Sequence, residues 1–351
     1  MTLARLLGTQ LPLVQAPMAG VQGHALAAAV SNAGALGSLP AAMLSPAALE
    51  AELAALRAAT DRPFNVNFFC HADPQPDLAR EAAWRARLAP YYAEFGLDPT
   101  AVVAAPARVP FDAAGAALVE RHQPAVVSFH FGLPVPALLA RVRATGAVVL
   151  SSATTVEEGL WLEARGVDAV IAQGLEAGGH RGLFLGGDLA TQLGTHALVR
   201  RLVGALRVPV IAAGGLGAPG EVAAAVELGA AGVQVGTAYL LCPEATTSAV
   251  HRAALAAATL PPTALTNLYT GRPARGLLTR LMRELGPLDP AVPAFPLAGA
   301  ALTPLRAAAE ARGSGDFSPL WRGAGAAACR PWPADEVTRM LATGLAPALR
   351  G

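Results

Sequence analysis

A histidine held among glycines is the first residue in this chain whose setting points to chemistry. It stands in Gln173-Gly174-Leu175-Glu176-Ala177-Gly178-Gly179-His180-Arg181-Gly182, where the glycines bring backbone, and His180 with it, close to whatever faces the loop. An imidazole that titrates near pH 6.5 suits proton transfer or the holding of an anion around neutrality. The competing reading is a structural histidine bonded to backbone. His130, in Ser128-Phe129-His130-Phe131-Gly132, would reach the same face, and for it the structural reading weighs at least as much. His24, His71, His122, His196 and His251 show no ligand spacing and read as satisfied or solvated side chains, so no metal site is expected.

Two more glycine clusters follow apolar runs: Gly214-Gly215-Leu216-Gly217-Ala218-Pro219-Gly220-Glu221, and Gly236-Thr237. Backbone N–H groups at such turns, with a helix N-terminus behind them, make an anion site, which implies a phosphorylated cofactor or substrate. Gly215 to Gly220 also matches G-x-G-x-x-G. The acidic residue of a dinucleotide site is missing about twenty positions on, where Val235 and Gly236 end an apolar run, so the stretch reads as a phosphate loop. Gln15, Asn67 and Gln173 are amides near the ends of such runs. Groups that both donate and accept suit the edge of a ring such as flavin, and they could equally bond neighbouring backbone.

The elements that must position these residues alternate along the chain. Short apolar runs at Leu13–Ala16, Ala35–Leu39, Phe64–Phe69, Ala125–Phe129, Ala147–Ser151, Ala169–Ala172, Val208–Ala212 and Gly232–Val235 lack the alternation of a half-exposed sheet. Parallel strands buried on both faces look like this. Helical stretches lie between them: Ser45 and Pro46 supply an N-cap and first-turn proline before Leu49, Leu53 and Leu56. Thr155 with Glu158 can form a capping box, and Gly166 stands at a helix C-terminus. Strand–helix alternation repeated eight times predicts a (β/α)8 TIM barrel, with an open doubly wound sheet as the alternative.

Two stretches exceed the minimal repeat. Residues 70–122 form a long connection, proline-rich near Pro74 and Pro76 and then helical. Residues 251–320 contain Pro261, Pro262, Gly271, Pro273, Pro287, Pro290, Pro293 and Pro296 and could cover the C-terminal mouth of the barrel. The expected organisation is a barrel over 1–250, a smaller, mainly helical covering segment over 251–320, and a packing helix within 321–351 marked by Val337, Met340, Leu341 and Leu345.

Composition closes off other classes. Hydrophobic residues make up 53% of the 351 and charged ones 15%, too apolar for a disordered chain. A net charge of +1, from 26 basic and 25 acidic residues, leaves no electrostatic footprint for nucleic acid or an anionic membrane. Every basic residue is Arg, which removes Schiff-base lysine chemistry and P-loop NTPases together. Cys70, Cys242 and Cys329 are odd in number and far apart, so neither disulfides nor a zinc cluster is expected and a reducing, cytoplasmic compartment fits. No signal peptide or membrane-spanning run is read.

Gln15-Ala16-Pro17-Met18-Ala19-Gly20, Asn65-Val66-Asn67-Phe68-Phe69, Ser128–Pro134, Ala172–Gly182 and Gln234-Val235-Gly236-Thr237, taken together and in order, resemble the nitronate monooxygenases, formerly 2-nitropropane dioxygenases. The similarity runs from about residue 10 to residue 322. The resemblance implies an FMN-binding TIM barrel with a smaller domain over the mouth. On the matching positions it implies that Ala16, Pro17 and Met18 lie against the flavin ring and that Asn67 and Gln173 hydrogen-bond the cofactor. Gly178, Gly214, Gly215, Gln234, Gly236 and Thr237 would hold the ribityl phosphate end. His180 matches the catalytic histidine and His130 a second histidine of the substrate pocket. The implied reaction oxidises an anionic alkyl nitronate, such as propionate 3-nitronate, with O2 and without a nicotinamide, His180 acting as imidazolium or hydrogen-bond donor.

The chain departs from the family pattern at Trp321-Arg322-Gly323-Ala324, at Thr279, and in having neither Lys nor, between residues 290 and 310, Tyr. Two other readings stand beside the monooxygenase. One is an NAD(P)H-dependent flavin reductase of the enoyl-acyl-carrier-protein reductase or quinone reductase type, which shares Glu-Ala-Gly-Gly-His. The other is a non-catalytic flavin-binding barrel.

Overall fold

The structure is a computed structural model and describes residues 2–100, 108–257, 259–325 and 329–345. Each of the eight apolar runs forms a strand: β1 (Leu13–Gln15), β2 (Gly37–Pro40), β3 (Phe64–Phe69), β4 (Val126–His130), β5 (Val148–Ala153), β6 (Ala169–Gln173), β8 (Val210–Ala213) and β9 (Gly232–Val235). A two-residue strand, β7 (Gly179–His180), intervenes in the chain and belongs to another sheet. The eight pair in parallel in the order β1-β9-β8-β6-β5-β4-β3-β2. A parallel bridge between Val14 and Leu36 brings the two ends together, with Leu36 N–H donating to the Leu13 carbonyl at 2.8 Å and Gln15 N–H to that of Leu36 at 2.9 Å. The result is the TIM barrel and not the open sheet.

The connecting helices form where their ends are chemically marked. Ser45 Oγ accepts from Ala48 N–H at 3.2 Å, Pro46 opens the helix Pro46–Ala59, and Leu49, Leu53 and Leu56 are buried against the sheet. Only half of the expected capping box at Thr155 is present. Thr155 Oγ1 accepts from Glu158 N–H at 3.2 Å, whereas the buried Glu158 carboxylate accepts from Thr154 N–H at 2.7 Å and Phe184 N–H at 2.6 Å. It ties down the long loop after His180 instead of closing the cap.

The covering layer contains helices Arg280–Leu285 and Gly299–Ala311, and also a sheet that the sequence reading did not find. Strands β10 (Thr263–Thr266) and β11 (Ala274–Leu277) form an antiparallel hairpin, and β11 pairs with β7, setting Ala274 opposite His180 and Arg275 opposite Gly179. The helix Leu78–Phe95 of the long connection packs into the same layer. Trp84 Nε1 donates to the Ala298 carbonyl at 3.3 Å and Tyr92 Oη to that of Ala301 at 2.7 Å, around a core with Leu88, Leu305 and Phe317. The helix Ala334–Ala342 buries Val337, Thr338 and Leu341 against the barrel's outer helices. No helix among the described residues is long and apolar enough to cross a membrane.

Candidate functional site

The C-terminal ends of the barrel strands open into one cavity, and the covering layer supplies its other wall. All thirteen residues singled out from sequence line it: Ala16, Pro17 and Met18 after β1, Asn67 on β3, His130 on β4, Gln173 on β6, Gly178 and His180 at β7, Gly214 and Gly215 after β8, and Gln234, Gly236 and Thr237 at β9. Gln15 lies beneath the cavity. Its Nε2 donates to Gln22 Oε1 at 2.6 Å, and Gln22 Oε1 also accepts from Met18 N–H at 3.0 Å, so two buried glutamines set the turn that presents residues 16–18.

Three amides face the cavity with different commitments. Asn67 Nδ2 donates to Ser128 Oγ at 2.9 Å, which leaves its oxygen for the cavity. Gln234 Oε1 is buried and has no hydrogen-bond partner among the described residues, a costly state unless a bound donor completes it. Gln173 is spent on the loop: Nε2 donates to the His180 carbonyl at 2.9 Å and Oε1 accepts from Gly182 N–H at 2.7 Å. It clamps His180 more than it presents an edge to a ring.

The glycine rim is narrow because a strap lies across it. Ala324 N–H donates to the Glu176 carbonyl at 2.8 Å and Gly323 N–H to Thr237 Oγ1 at 3.0 Å. A Cβ on Gly178 would stand 2.6 Å from the Arg322 carbonyl carbon and the Gly323 nitrogen, so backbone approach forbids a side chain there. Arg322 donates to the Gly323 and Gly325 carbonyls at 3.0 and 2.9 Å, so this departure from the family pattern stiffens the strap. A planar group with polar edges and an anionic tail fits the set of apolar platform, orphaned amide and glycine rim.

His180 sits at the join of the two walls. Its Nε2 is 2.9 Å from Thr270 Oγ1 of the covering hairpin, and its ring lies 5.3 Å from that of Phe295 and 5.6 Å from Trp321. Burial, and then the positive charge of Arg108, hold the imidazole well below its usual pKa, with His130, Arg272 and His71 acting the same way. The ring therefore favours its neutral form at neutral pH, as a hydrogen-bond donor or acceptor. His130 donates through Nε2 to the His180 carbonyl at 3.2 Å, which leaves Nδ1 to accept from Ser152 Oγ at 2.6 Å. Burial pushes its pKa down to about 3. The fully buried Arg181 donates to the Gln173 carbonyl at 2.7 Å and to Gln192 Oε1 at 2.9 Å, bracing the loop from behind.

Sequence reasoning missed three contributors. His251 lines the cavity, almost wholly buried, with Nε2 lacking a partner among the described residues, and burial lowers its pKa to about 4. His71 is buried too, its Nε2 donating to the Arg108 carbonyl at 3.0 Å, the satisfied and not the solvated of the two readings given to it. Arg108 itself lines the cavity from the long connection. Neither the spacing of these histidines nor the Ala-Arg-Val-Pro around Arg108 carries a signal, and only the covering layer's placement brings them in. Thr279 accepts from Met282 N–H as a helix N-cap and bonds Tyr269 Oη at 2.6 Å, away from the cavity.

Comparison with known proteins gives a consistent answer. A family profile described as nitronate monooxygenase matches residues 1–344. A nitronate monooxygenase of Pseudomonas aeruginosa is 45% identical, with 96% of this chain and 97% of the relative covered, and one of Paraburkholderia phytofirmans is 41% identical, with 96% and 92% covered. Among solved structures, the nitroalkane oxidase of Streptomyces ansochromogenes superposes with a TM-score of 0.88 at 39% identity, covering 99% of both chains. FabK of Thermotoga maritima, at 24% identity and TM-score 0.71 over 100% of this chain and 97% of its own, shares the fold.

Proposed function

Because the chain belongs to the nitronate monooxygenase family, we propose that it is an oxidoreductase that oxidises alkyl nitronates, propionate 3-nitronate among them, with O2 and bound FMN and without NADH or NADPH. The products are a carbonyl compound and an oxidised nitrogen species. The observation that carries the reading in the geometry is the set of groups around the reacting end of the cavity: His180, His130 and His251 line it, with no Asp or Glu among the described residues. Such a pocket sets no carboxylate against an anion and gives it a neutral imidazole to meet.

FMN would rest on Ala16, Pro17 and Met18, with Asn67 and Gln234 toward it and Gly178, Gly214, Gly215, Gly236 and Thr237 around its phosphate end. When bound, the flavin supplies the electron-accepting chemistry that no side chain of this pocket has. The protein's own part is binding, orientation and exclusion of water. His180, neutral and fixed through Thr270, holds a nitronate oxygen through a ring N–H or takes a proton at its free ring nitrogen. His130 and Gln173 act on it through its carbonyl as positioning residues. Phe69, Phe131 and Phe295, packed together against His180, keep that corner dry.

The test is oxygen uptake by FMN-loaded protein given propionate 3-nitronate with no nicotinamide present. Rapid uptake is expected. A yellow, loaded protein that consumes no oxygen would overturn the reading, and bleaching of its flavin by NADH or NADPH alone would move it to the reductase class.

A further inference from the structure

We propose that Arg108 is a specificity-determining residue: it holds a carboxylate at the far end of the substrate, while the nitronate lies at His180. The inference rests on the nitronate reading and deepens it. Arg108 is an arginine lining the cavity whose guanidinium makes no ion pair and no hydrogen bond among the described residues. The neighbouring residues outside that set, 101–107, are Ala, Val and Pro, with no side chain that could neutralise it. The charge that acts on Arg108 is another cation, Arg306. Other arginines near the site are engaged. Arg272 donates to the Leu183 carbonyl and lies 3.9 Å from the centre of the Phe131 ring, and Arg275 donates to the Leu175 carbonyl at 2.7 Å.

The spacing of groups suits a short substrate charged at both ends. The Arg108 guanidinium carbon lies 5.8 Å from the centre of the Phe295 ring, and that ring lies 5.3 Å from His180. Arg108 and His180, which both line the cavity, thus pack against one buried aromatic ring. A planar guanidinium fork pairs with a carboxylate through two hydrogen bonds, and a half-buried one without a counter-ion favours any ligand that brings one. A plain alkyl nitronate meets His180 and leaves Arg108 unanswered.

The test compares Arg108→Met, which keeps much of the stem's bulk, and Arg108→Lys, which keeps the charge, with the parent protein. For propionate 3-nitronate, Arg108→Met should raise KM by about 10- to 100-fold with kcat within about threefold, the loss expected for one charge-assisted pair. For propyl nitronate, which lacks the carboxylate, kcat/KM should move by less than about threefold, and Arg108→Lys should recover part of the loss. Equal losses on both nitronates, or none on either, would overturn the proposal. A second readout needs no turnover: 3-nitropropionate, whose carboxylate is ionised while its nitro group is not, is titrated against the absorbance of the bound flavin. Its binding should be lost in Arg108→Met and kept in the parent, and equal binding to both would overturn the proposal. If the parent oxidises neither nitronate, the nitronate reading fails, and this titration still decides whether Arg108 holds a carboxylate.

Discussion

The two walls of the cavity are built from different materials. The barrel wall is backbone and neutral amide: the Ala16–Met18 turn, Asn67, Gln234 and the glycine rim, all at strand ends fixed by parallel pairing. The covering wall is aromatic and charged, with Arg108 and Trp321 arriving from segments about two hundred residues apart in the chain. Neutral donors and acceptors on rigid strand ends suit a cofactor that stays, whereas charge and aromatic surface on an added layer suit a substrate that comes and goes. His180 belongs to both, since its loop leaves β6 and its own strand pairs with β11 of the cover. The covering layer therefore builds the reactive centre as well as roofing it.

That join is where the largest effect is expected. His180→Asn should keep the flavin bound, because the barrel wall is untouched, and should lower turnover by at least about 100-fold, the range of general acid–base or anion-holding contributions. Flavin content by absorbance and oxygen uptake on the same sample check it. Unchanged turnover would remove His180 from the chemistry, and loss of flavin would dissolve the division between the walls.

Gly178→Ala strikes the opposite side. Its new methyl would meet the Arg322–Gly323 backbone at 2.6 Å, so the strap must lift from the rim. We expect flavin affinity to fall by about tenfold or more while turnover per bound flavin changes little, as a fluorescence titration and flavin-normalised rates would report. A normal affinity with reduced normalised turnover would reverse the roles given to the walls.

How much of this could be read in the sequence divides along the same line. Barrel strands were legible because each is a short run with both faces buried, as Phe64–Phe69 is throughout. Their boundaries slipped where local chemistry intrudes: the seventh barrel strand starts at Val210 and not Val208, just past Pro209, which has no N–H to give a ladder. Glycine rims were legible because close backbone approach admits little else. The small sheet was not, since β7 is two residues long and β11 reads Ala-Arg-Gly-Leu, with no strand pattern, and only tertiary pairing makes them strands. Arg108, His71 and His251 escaped for a related reason: a residue whose meaning depends on which layer covers it carries no local signal.

Acid offers a smaller and more distributed probe of the covering wall. His71, His130, His180 and His251 are all held below their ordinary pKa, burial being the largest cause for each. In the unfolded chain each takes a proton near pH 6.5, so below that pH the unfolded state binds more protons than the folded one. Their contribution to stability is complete above pH 6.5 and is lost as pH falls toward the folded values, about 4 for His251 and about 3 for His130. The limiting slope is about 1.4 kcal/mol per pH unit for each histidine. Urea melts at pH 7, 6, 5 and 4 should show this decline, and turnover should show no histidine titration between pH 6.5 and 8. Stability that is level from pH 6.5 to 5 would mean that these rings are solvated.

The smallest effect tests whether the cover's own core is separable from cofactor binding. Tyr92, buried on the helix Leu78–Phe95, donates to the Ala301 carbonyl at 2.7 Å, tying the long connection to the helix Gly299–Ala311. Phenylalanine keeps the ring and its packing and removes one hydrogen bond, worth about 1 kcal/mol. In a chain of this size that loss lowers Tm by about 1–3 °C. Since the bond lies among Trp84, Leu88 and Leu305 and away from the glycine rim, flavin affinity should stay within about twofold. KM for propionate 3-nitronate should rise slightly, because Arg108 sits at the other end of the same connection. A fall in flavin affinity that tracks the fall in Tm would show that cover and rim unfold as one cooperative unit, and the two walls would then differ in chemistry but not in stability.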